Sequence, residues 1–562
     1  MTSNSVRRMR HLRMILMFSS FLGFISTLMA QGQIGPIAKT SAVRSMVGMQ
    51  GSKDPSAGQI ALHKVQQDIA IAGVLQSLQH DAPRGPVILR NVQVVDPIKE
   101  TITPNESIVI EGSRISWVGD KAKEPKISAK VIDGADHYVS PGLNDMHVHT
   151  STADGWLLDL ANGVTAVRDM AGFPWMLKAR DSINAGRMLA PSLSVAGPLI
   201  NDYGLVGYAV VPANSLDARR HVRLEAACGY DFIKLWNIVP RPIFDAVAQQ
   251  ARLEGMDLIG HVPHDISVRY AAQSGMRTME HLKGFLDDRT LRLGDTDYGA
   301  VIDTPDVWIT PTLYANRAFA RGDEAKTYLQ SPESQYVPLR VRKKWLSSQA
   351  GEESAGNRQA RDAEPILISI VKKLVSLHTK FLAGTDGDNY PFQVMGFGLV
   401  DELGLLQSAG LPPGEALRAA TTEPAIAMRE AEECGQIAQG MRADLVLLDE
   451  NPLKSTSIFK VNRGVMVRGV WLEESSLKSA LAKLAAIFAE PDNDVVLNEE
   501  TARSTLSQAS ELSKDGFVLD ARQYAQLAKL LREAGYATTA EGFDSLADIP
   551  RTGPCAESRP IE

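Results

Sequence analysis

The sequence predicts an α/β protein. It should contain a (β/α)8, TIM-like barrel, a small β-sandwich domain formed by segments flanking the barrel, and a C-terminal helical extension. Between residues 141 and 434, eight short apolar runs alternate with helical patterns, and such alternation over about 290 residues is typical of a (β/α)8 barrel. Strand-rich blocks lie on both sides of this region, at 86–140 and 435–475. The end of the chain, 476–562, carries helical patterns instead.

The first 30 residues have the order of a secretory signal peptide. A basic stretch at 7–13 precedes an apolar run at 14–29, and the small residue Ala30 follows. The run is shorter than the roughly 20 residues that cross a bilayer. We therefore expect an exported protein, either periplasmic or secreted. Leu28 fits the small-residue rule at a cleavage site poorly, so an uncleaved membrane anchor stays open, as does a start site that merely adds apolar residues.

The composition has the values of an ordinary soluble globular protein. Of the 562 residues, 44% are hydrophobic and 22% are charged, which is enough to bury a sizeable core. The net charge is −7 and no dense lysine and arginine stripe occurs, so nucleic acid is not an expected partner. Self-association into a homo-oligomer stays open. Three cysteines without a CxxC pair exclude a disulfide framework and a thiolate zinc site.

Residues 31–85 form an N-terminal helical or linker region. Apolar residues recur at helical spacing over 60–78, and two prolines within 83–86 end the pattern. The β domain begins after this region and returns beyond the barrel, which suggests one domain interrupted by an insertion. Its predicted strands are 87–89, 107–110, 114–118, 444–449 and 465–471, with a Glu111-Gly112 turn between the second and third.

The barrel is predicted over 141–434. A long polar stretch, 317–363, follows the seventh run and could cover the barrel mouth as a lid. In the C-terminal extension, Asp520 is placed to cap a helix that Gly535 ends. The eight apolar runs are 143–149, 164–168, 193–196, 232–236, 258–262, 278–282, 308–313 and 381–385, with helices at 243–253 and 266–272 among the segments between them.

Residues with metal-binding chemistry end several of these runs. His147 and His149 lie two apart on the first run, so both imidazoles face one side of the strand, at the mouth where barrel active sites lie. Two convergent imidazoles suit zinc or a similar divalent ion. His261 and His281 end the fifth and sixth runs, and Asp386 follows the eighth. Lys234 lies inside the apolar fourth run, where an unpaired ammonium is costly to bury.

This ordered set resembles the amidohydrolase superfamily, with the local character of its imidazolonepropionase and Xaa-Pro dipeptidase branch. The likeness covers about residues 86–475. The motifs that carry it are Pro-Gly-Leu-Asn-Asp-Met-His-Val-His at 141–149, Lys234, Gly-His-Val-Pro-His at 260–264, Glu-His-Leu at 280–282, Ala-Gly-Thr-Asp at 383–386 and Gly-Met-Arg-Ala-Asp-Leu-Val at 440–446.

The resemblance implies a centre of two divalent metal ions, expected to be zinc. It assigns the more buried ion to His147 and His149, and the second ion to His261 and His281. Lys234, carboxylated on its amine by carbon dioxide, would bridge the two ions as an anionic oxygen ligand. Asp386 would contact the first ion, hold a bridging hydroxide and carry its proton to the leaving nitrogen.

Position 264 departs from one branch of the family. Deaminases with a single metal have an acidic residue there, whereas this chain has His264 and keeps Lys234. Both features favour the two-metal hydrolytic branch. His264 either contacts substrate or caps the following helix, and the sequence leaves both alternatives open.

Candidate substrate-binding residues follow four of the runs. A tyrosine there could polarise a carbonyl and an arginine could hold a carboxylate, although ordinary loop side chains would show the same pattern. The candidates are His264 after the fifth run, Tyr203 and Tyr208 after the third, Tyr314 and Arg317 after the seventh, and Asn389 and Tyr390 after Asp386.

The resulting hypothesis is a metal-dependent hydrolase that cleaves an amide C–N bond. The expected substrates are a small peptide, an N-acyl amino acid or a cyclic amide. Lactone or phosphoester hydrolysis on the same two-metal site is the alternative within enzymes. A metal-free barrel that serves as an interaction scaffold is the alternative of another class. The sequence contains neither a Gx4GK[ST] phosphate-binding loop nor a GxSxG nucleophile elbow, so these motifs give no support to another class of enzyme.

Overall fold

The computed structural model describes residues 55–149, 152–202, 209–287, 290–294, 298–321, 325–348, 355–387, 391–491 and 495–547. The predicted signal segment lies outside these residues. So do Tyr203, Tyr208, Asn389 and Tyr390. Within the described residues, no helix combines the length and the apolar character needed to span a bilayer.

The centre of the molecule is a TIM-barrel-like α/β arrangement of parallel segments, which follow chain order except that β10 lies at the edge beside β9. β6, β7 and β8 form a three-stranded sheet, and β9 to β13 with β16 form a six-stranded sheet. A parallel bridge between Ala196 and Phe232 joins the two sheets. Most of these strands are buried on both faces, which explains why they read as continuous apolar runs. Their bounds are β6 Leu143–Val148, β7 Val164–Asp169, β8 Ser192–Val195, β9 Leu199–Ile200, β10 Ala209–Val210, β11 Phe232–Leu235, β12 Asp257–Gly260, β13 Met276–Glu280 and β16 Trp308–Thr310.

The eighth predicted run is extended chain with few ladder bonds rather than a regular strand. Phe381 and Gly387 form isolated parallel bridges, to Ile309 and Val148 respectively. The Leu382 N–H donates to Ile309 O at 2.9 Å, and the Met146 N–H donates to Ala383 O at 2.9 Å. The segment therefore connects the seventh strand with the first.

Helices alternate with the strands of this region, as the apolar periodicity predicts. The predicted helices 243–253 and 266–272 correspond to α5 and α6. The short antiparallel pair β14–β15 was not predicted. The bounds are α2 Ala153–Ala161, α3 Pro174–Asn184, α4 Ser215–Cys228, α5 Arg241–Glu254, α6 Val268–Gln273, β14 Leu286–Asp287, β15 Arg292–Leu293, α7 Gly299–Ile302, α8 Leu313–Ala320, α9 Ala325–Tyr328, α10 Leu339–Ser348, α11 Ala355–Ser376, α12 Phe397–Ser408, α13 Pro413–Ala419 and α14 Thr422–Ala427.

The two flanking β blocks join in one sheet. Its strand order is β19-β18-β17-β5-β1-β2-β3, with β4 paired to β1. Buried residues from both blocks share one core. The sheet folds back on itself, because the Ile115 N–H donates to Met441 O at 2.9 Å and the Ala443 N–H donates to Ser113 O at 2.8 Å, and the sandwich form stays a prediction. Register shifts along β1, between Arg90 and Val94, bend this strand so that it pairs with β2, β4 and β5. The bounds are β1 Val87–Asp96, β2 Thr101–Glu111, β3 Arg114–Asp120, β4 Lys130–Asp133, β5 Tyr138–Pro141, β17 Leu445–Leu448, β18 Asn462–Val467 and β19 Val470–Glu473.

The N-terminal and C-terminal helices pack together rather than forming separate regions. The first helix, α1, contacts three helices of the C-terminal extension. The Gln66 side chain donates to Thr505 Oγ1 at 3.1 Å, and the Gln67 side chain donates to Ile487 O at 3.1 Å. Asp520 caps its helix by accepting from the Arg522 N–H, as predicted. The bounds are α1 Pro55–Asp81, α15 Glu474–Ala489, α16 Glu499–Lys514, α17 Ala521–Glu533 and α18 Ala537–Ala547.

The predicted polar lid contains short helices that pack on the chain beyond Asp386. The ring centroids of Trp345 and Phe392 are 4.9 Å apart, and those of Tyr328 and Phe392 are 5.9 Å apart. Arg340 donates to the Gln67 side chain of α1 at 2.8 Å. This insertion therefore connects the end of the eighth barrel segment to the N-terminal helix.

The cysteines include one disulfide-bonded residue, Cys228 at the end of α4. Cys434 is a free, buried thiol. One such bond is compatible with the exclusion of a disulfide framework.

Candidate metal centre

The six predicted metal-site residues converge where the parallel segments end. His149 Nε2 lies 3.1 Å from Asp386 Oδ1, and His147 Nε2 lies 3.4 Å from the same oxygen. Lys234 Nζ lies 3.5 Å from His147 Nε2. The imidazole centroid of His281 is 4.5 Å from that of His147 and 4.7 Å from that of His261. The chain thus brings together four imidazoles, a carboxylate and an amine from five barrel segments.

Three residues of this cluster bring ligand atoms close enough together to hold one metal ion. One ligand atom each from His147, His281 and Asp386 lie within 4.8 Å of one another. Imidazole nitrogens with a carboxylate oxygen are a donor set typical of zinc and related divalent ions. The chemistry of these side chains therefore fits a divalent metal site.

Three of the imidazoles are held through the ring nitrogen Nδ1. His147 Nδ1 lies 2.8 Å from Glu280 Oε2, and His261 Nδ1 lies 2.5 Å from Asn237 Oδ1. His281 Nδ1 lies 2.6 Å from Thr312 Oγ1. Because carboxylate and amide oxygens can only accept, His147 and His261 carry their protons on Nδ1 and leave the Nε2 lone pair available. Such supporting bonds fix the orientation of metal-binding histidines.

The support for His147 belongs to a buried network of charges. The second oxygen of Glu280 accepts from Arg168 Nη2 at 3.0 Å and from Thr278 Oγ1 at 2.5 Å. Arg168 also donates through Nε to Met146 O at 2.8 Å. Burial alone would raise the pKa of Glu280, but Arg168 and His147 outweigh it and hold this pKa well below its usual range. Glu280 is therefore an ionised acceptor at neutral pH.

Burial keeps His147, His261 and His281 neutral. It lowers the pKa of His147 to about 4, with Lys234 as the next contribution. It also lowers the pKa values of His261 and His281 well below the ordinary value of histidine. Neutral imidazole is the form that binds a metal, so these side chains have the required charge state at neutral pH.

Lys234 and Asp386 have opposite shifts. Burial lowers the pKa of Lys234 to about 8, although Glu280 and Asp386 act against it. For Asp386, burial would raise the pKa, but the imidazoles of His281, His149 and His147 outweigh it and hold this pKa well below its usual range. A partly neutral amine therefore lies beside an ionised carboxylate.

Asp145 connects the first and eighth segments beneath the histidines. Its carboxylate accepts from the Thr385 N–H at 3.0 Å and from the Thr385 hydroxyl at 2.6 Å. Burial raises the pKa of Asp145 to about 7. Gly384 permits the close approach of the segments, since a Cβ there would lie 2.8 Å from the Cβ of His147. Asp145 and Gly384 thereby bring Asp386 near the histidines of the first segment.

Several site residues have left-handed backbone although they are not glycine. The φ angles are 59° at His281, 50° at Thr312 and 54° at Asp386. Such conformations are uncommon and cluster at functional sites, where the surroundings enforce them. Here they occur directly after barrel segments six and seven and at the end of the eighth.

The structure separates the predicted substrate residues. His264 lies half-buried in the turn after β12, and α6 is capped by Ser267, so the helix-capping alternative for His264 is wrong. Tyr314 is buried in the core and its hydroxyl accepts from the Val394 N–H at 3.2 Å, which places it in packing rather than at an open mouth. Arg317 is largely exposed and forms an ion pair with Glu364. Tyr203, Tyr208 and Asn389 are outside the described residues.

Sequence reasoning missed the residues that hold the predicted ligands. The charged ones gave a signal, because Arg168 ends an apolar run and Glu280 directly precedes His281. A charged side chain in an apolar segment indicates a buried partner of opposite charge. Asn237 and Thr312 gave no such signal, since a polar residue after a strand is ordinary.

Residues 138–476 match the model of the amidohydrolase family. The chain belongs to this family. It is a hydrolase that acts on carbon–nitrogen bonds, and members of the family generally use divalent metals. The interaction-scaffold alternative is therefore abandoned.

Relatives support this assignment. The chain is 26% identical over 416 residues to an imidazolonepropionase of Anaeromyxobacter sp. (strain K), covering 65% of this chain and 90% of the relative. The structure resembles a bottromycin amidohydrolase with a TM-score of 0.62 and 25% identity, covering 80% of this chain and 97% of that one. It also has the fold of a Xaa-Pro dipeptidase, with a TM-score of 0.56 and 21% identity over 69% and 100% of the chains.

Proposed function

We propose that this amidohydrolase hydrolyses the amide C–N bond of a small peptide, an N-acyl amino acid or a cyclic amide at a centre of two divalent ions. The observation that carries the proposal is the convergence of four imidazoles, Lys234 and Asp386 within a few ångströms. A buried carboxylate needs a compensating positive charge, and neutral imidazoles bind metal ions, so cations between these groups would account for both. The same proposal takes the eight parallel segments as a closed (β/α)8 barrel, supported by the bridges of the eighth segment to its two neighbours.

The ligand roles divide between the two ends of the cluster. His147 and His149, both beside Asp386, would hold one ion, and His261 and His281 would hold the other. Zinc is the metal we propose. When bound, two such ions would acidify a water and withdraw electrons from the substrate carbonyl.

Lys234 would enter the site as its carboxylated form. The amine is buried and lies 3.5 Å from His147 Nε2, so an ammonium there would compete with a bound cation. Carboxylation joins the nitrogen of the neutral amine to the carbon of carbon dioxide and releases one proton. Together with the proton that the ammonium loses first, two protons leave, and a cationic side chain becomes an anionic oxygen ligand. With a pKa of about 8, roughly a tenth of the amine is neutral at pH 7 and able to react.

Asp386 would move the proton that hydrolysis requires. Cleavage adds OH to the carbonyl carbon and H to the leaving nitrogen, so a proton must travel from water to that nitrogen. The Asp386 carboxylate is ionised at neutral pH and lies at the centre of the cluster, where it can accept this proton and release it again.

Two experiments test the proposal. Elemental mass spectrometry of protein purified with bicarbonate should find about two zinc or similar ions per chain. A panel of dipeptides, N-acyl amino acids and cyclic amides should then give turnover that Asp386→Asn removes while the ions remain. Lactones and phosphoesters belong in the same panel as controls, and faster hydrolysis of either would move the proposal to that reaction. Absence of ions, or near-normal amide turnover in Asp386→Asn, would refute it.

We also propose that the protein is exported. The order of charged, apolar and small residues within 1–30 supports this, and a disulfide-bonded Cys228 is typical of an oxidising compartment. Cell fractionation tests it, since removal of residues 1–30 should retain the protein in the cytoplasm. Recovery of the intact chain in the membrane fraction would favour the uncleaved anchor.

A further inference from the structure

The helix that follows barrel strand seven lacks the cap that its sequence offers. α8 begins after Thr312, and threonine at this position usually accepts from the N–H groups of the first helical turn. Thr312 makes no such side-chain bond. Its hydroxyl lies 2.6 Å from His281 Nδ1 and donates to Pro311 O at 2.8 Å. The usual capping group is therefore directed to the metal centre.

This arrangement selects one tautomer of His281. The Thr312 hydroxyl has one proton, and it donates this proton in the hydrogen bond to Pro311 O. Towards His281 Nδ1 the hydroxyl oxygen can therefore only accept. The proton of the neutral imidazole must then lie on Nδ1. The lone pair is left on Nε2, and the ring is held by a bond to the neighbouring barrel segment.

The backbone of Thr312 accounts for the unusual direction of its side chain. A cap residue is normally extended, whereas Thr312 has φ 50° and ψ 46°. Left-handed backbone is strained for a β-branched residue and persists only where surrounding contacts enforce it.

A second residue supplies the missing cap. Glu402, from α12, is fully buried, and its Oε2 accepts from the Tyr314 N–H at 2.7 Å. Tyr314 is the second residue of α8, which is a position that a cap residue normally serves. Burial raises the pKa of Glu402 to about 8, so at neutral pH the group is mostly a neutral carboxyl, whose oxygen still accepts this bond. Glu402 thus accepts from an N–H group in the first turn of α8, while the Thr312 hydroxyl contacts His281.

We propose that Thr312 is a positioning residue for the second metal ion, acting through His281, and that Glu402 is the substitute cap that frees the Thr312 hydroxyl for this task. The inference rests on the proposed two-metal function. It adds that the affinity of one ion depends on a hydroxyl that contacts no metal.

Variants at position 312 test the hydroxyl. Thr312→Val keeps the shape and removes the oxygen. Thr312→Gly also removes it but tolerates left-handed backbone, so folding is not at risk. Thr312→Ser keeps the oxygen. We expect roughly 10–100-fold weaker binding of one ion in the first two variants, with the other ion unchanged, and affinity close to wild type in Thr312→Ser. Chelator competition with Zn²⁺ measures the affinities, and Co²⁺ absorption reports the geometry.

Variants at position 402 test the cap. Glu402→Gln keeps an oxygen that can accept from Tyr314, so it should bind both ions with wild-type affinity. Glu402→Leu leaves that N–H without its partner, and the same ion that Thr312→Val weakens should be weakened. Lower thermal stability with both affinities intact would show a purely structural cap and overturn the role of Glu402.

The outcomes separate this inference from the proposed function. If wild-type protein binds two ions and Thr312→Gly binds both equally well, the inference falls and the two-metal function stands. If wild-type protein binds no ion, both fall. Loss of one ion from Thr312→Val and Thr312→Gly, with recovery in Thr312→Ser, supports the inference.

Discussion

The substitution Glu280→Gln isolates the buried network that orients His147. Glu280 uses its two oxygens in opposite directions: Oε2 lies 2.8 Å from His147 Nδ1, and Oε1 lies 3.0 Å from Arg168 Nη2. Glutamine has the same shape but a single acceptor oxygen. Whichever way the amide turns, either the histidine or the arginine faces an NH2 group.

The two orientations have different costs. If the oxygen serves His147, the buried Arg168 loses its counter-charge, and breaking a buried pair in this way costs about 3–5 kcal/mol. If the oxygen serves Arg168, His147 must move its proton to Nε2 and loses the lone pair that a metal needs. Loss of such support weakens metal binding about 10–100-fold, which is about 1.4–2.8 kcal/mol. The second orientation costs less, so we expect the defect in metal binding to dominate.

A double variant provides the matched control. In Glu280→Gln with Arg168→Met, no guanidinium competes for the amide oxygen, which can turn to His147. Metal affinity should recover towards wild type, although the bond from Arg168 to Met146 O is lost. Chelator competition measures affinity, and urea unfolding of metal-free protein measures stability. Wild-type affinity and stability in Glu280→Gln alone would refute the reasoning, as would a double variant weaker than the single one in both assays.

Three further predictions address other parts of the chain. Lys234→Met should bind one ion instead of two even with bicarbonate, measured by elemental mass spectrometry; two retained ions would remove the bridging role. Burial raises the pKa of Glu225 well above its ordinary value, so the stabilisation from its neutral form is full below about pH 4.5 and is lost as the pH rises through the folded-state pKa. Urea unfolding between pH 5 and 9 should show this loss, up to about 1.4 kcal/mol of unfolding free energy per pH unit. Glu225→Gln should remove the loss, whereas the control Glu111→Gln, at an exposed position, should keep it. Leu75→Ala, in the buried face of α1, should lower the unfolding free energy by about 2–5 kcal/mol if α1 and the C-terminal helices form one unit, whereas exposed Ser77→Ala on the same helix should change it little.

Local patterns predicted the α/β class and most barrel strands to within one or two residues. β7 was expected at 164–168 and spans Val164–Asp169; β11 was expected at 232–236 and spans Phe232–Leu235. These strands are buried on both faces, so their apolar runs are unambiguous. The pairing of β5 with β17 was not predictable, because strand pairing between residues about 300 apart depends on contacts that no local pattern encodes. The same holds for the packing of α1 on the C-terminal helices.

The ligand-type residues of the centre could be found because each ends a predicted segment and has distinctive chemistry. Their supports could not, because each support acts across segments. Glu280 contacts His147, which lies 133 residues earlier, and Asn237 contacts His261 from the preceding strand end. A resemblance to a family transfers the first set, motif by motif, but the second set requires coordinates.

The supports also explain how metal binding and barrel integrity would depend on each other. Asn237, at the end of the fourth segment, orients His261 of the fifth, and Thr312, after the seventh, orients His281 of the sixth. Each ligand therefore has its correct direction only while a neighbouring segment keeps its place. Because an ion bound to correctly oriented ligands stabilises only the folded state, metal binding should stabilise the contacts between these segments. Conversely, a substitution can loosen strand seven without contacting a proposed ligand. Its first measurable effect should be weaker binding of the ion assigned to His281.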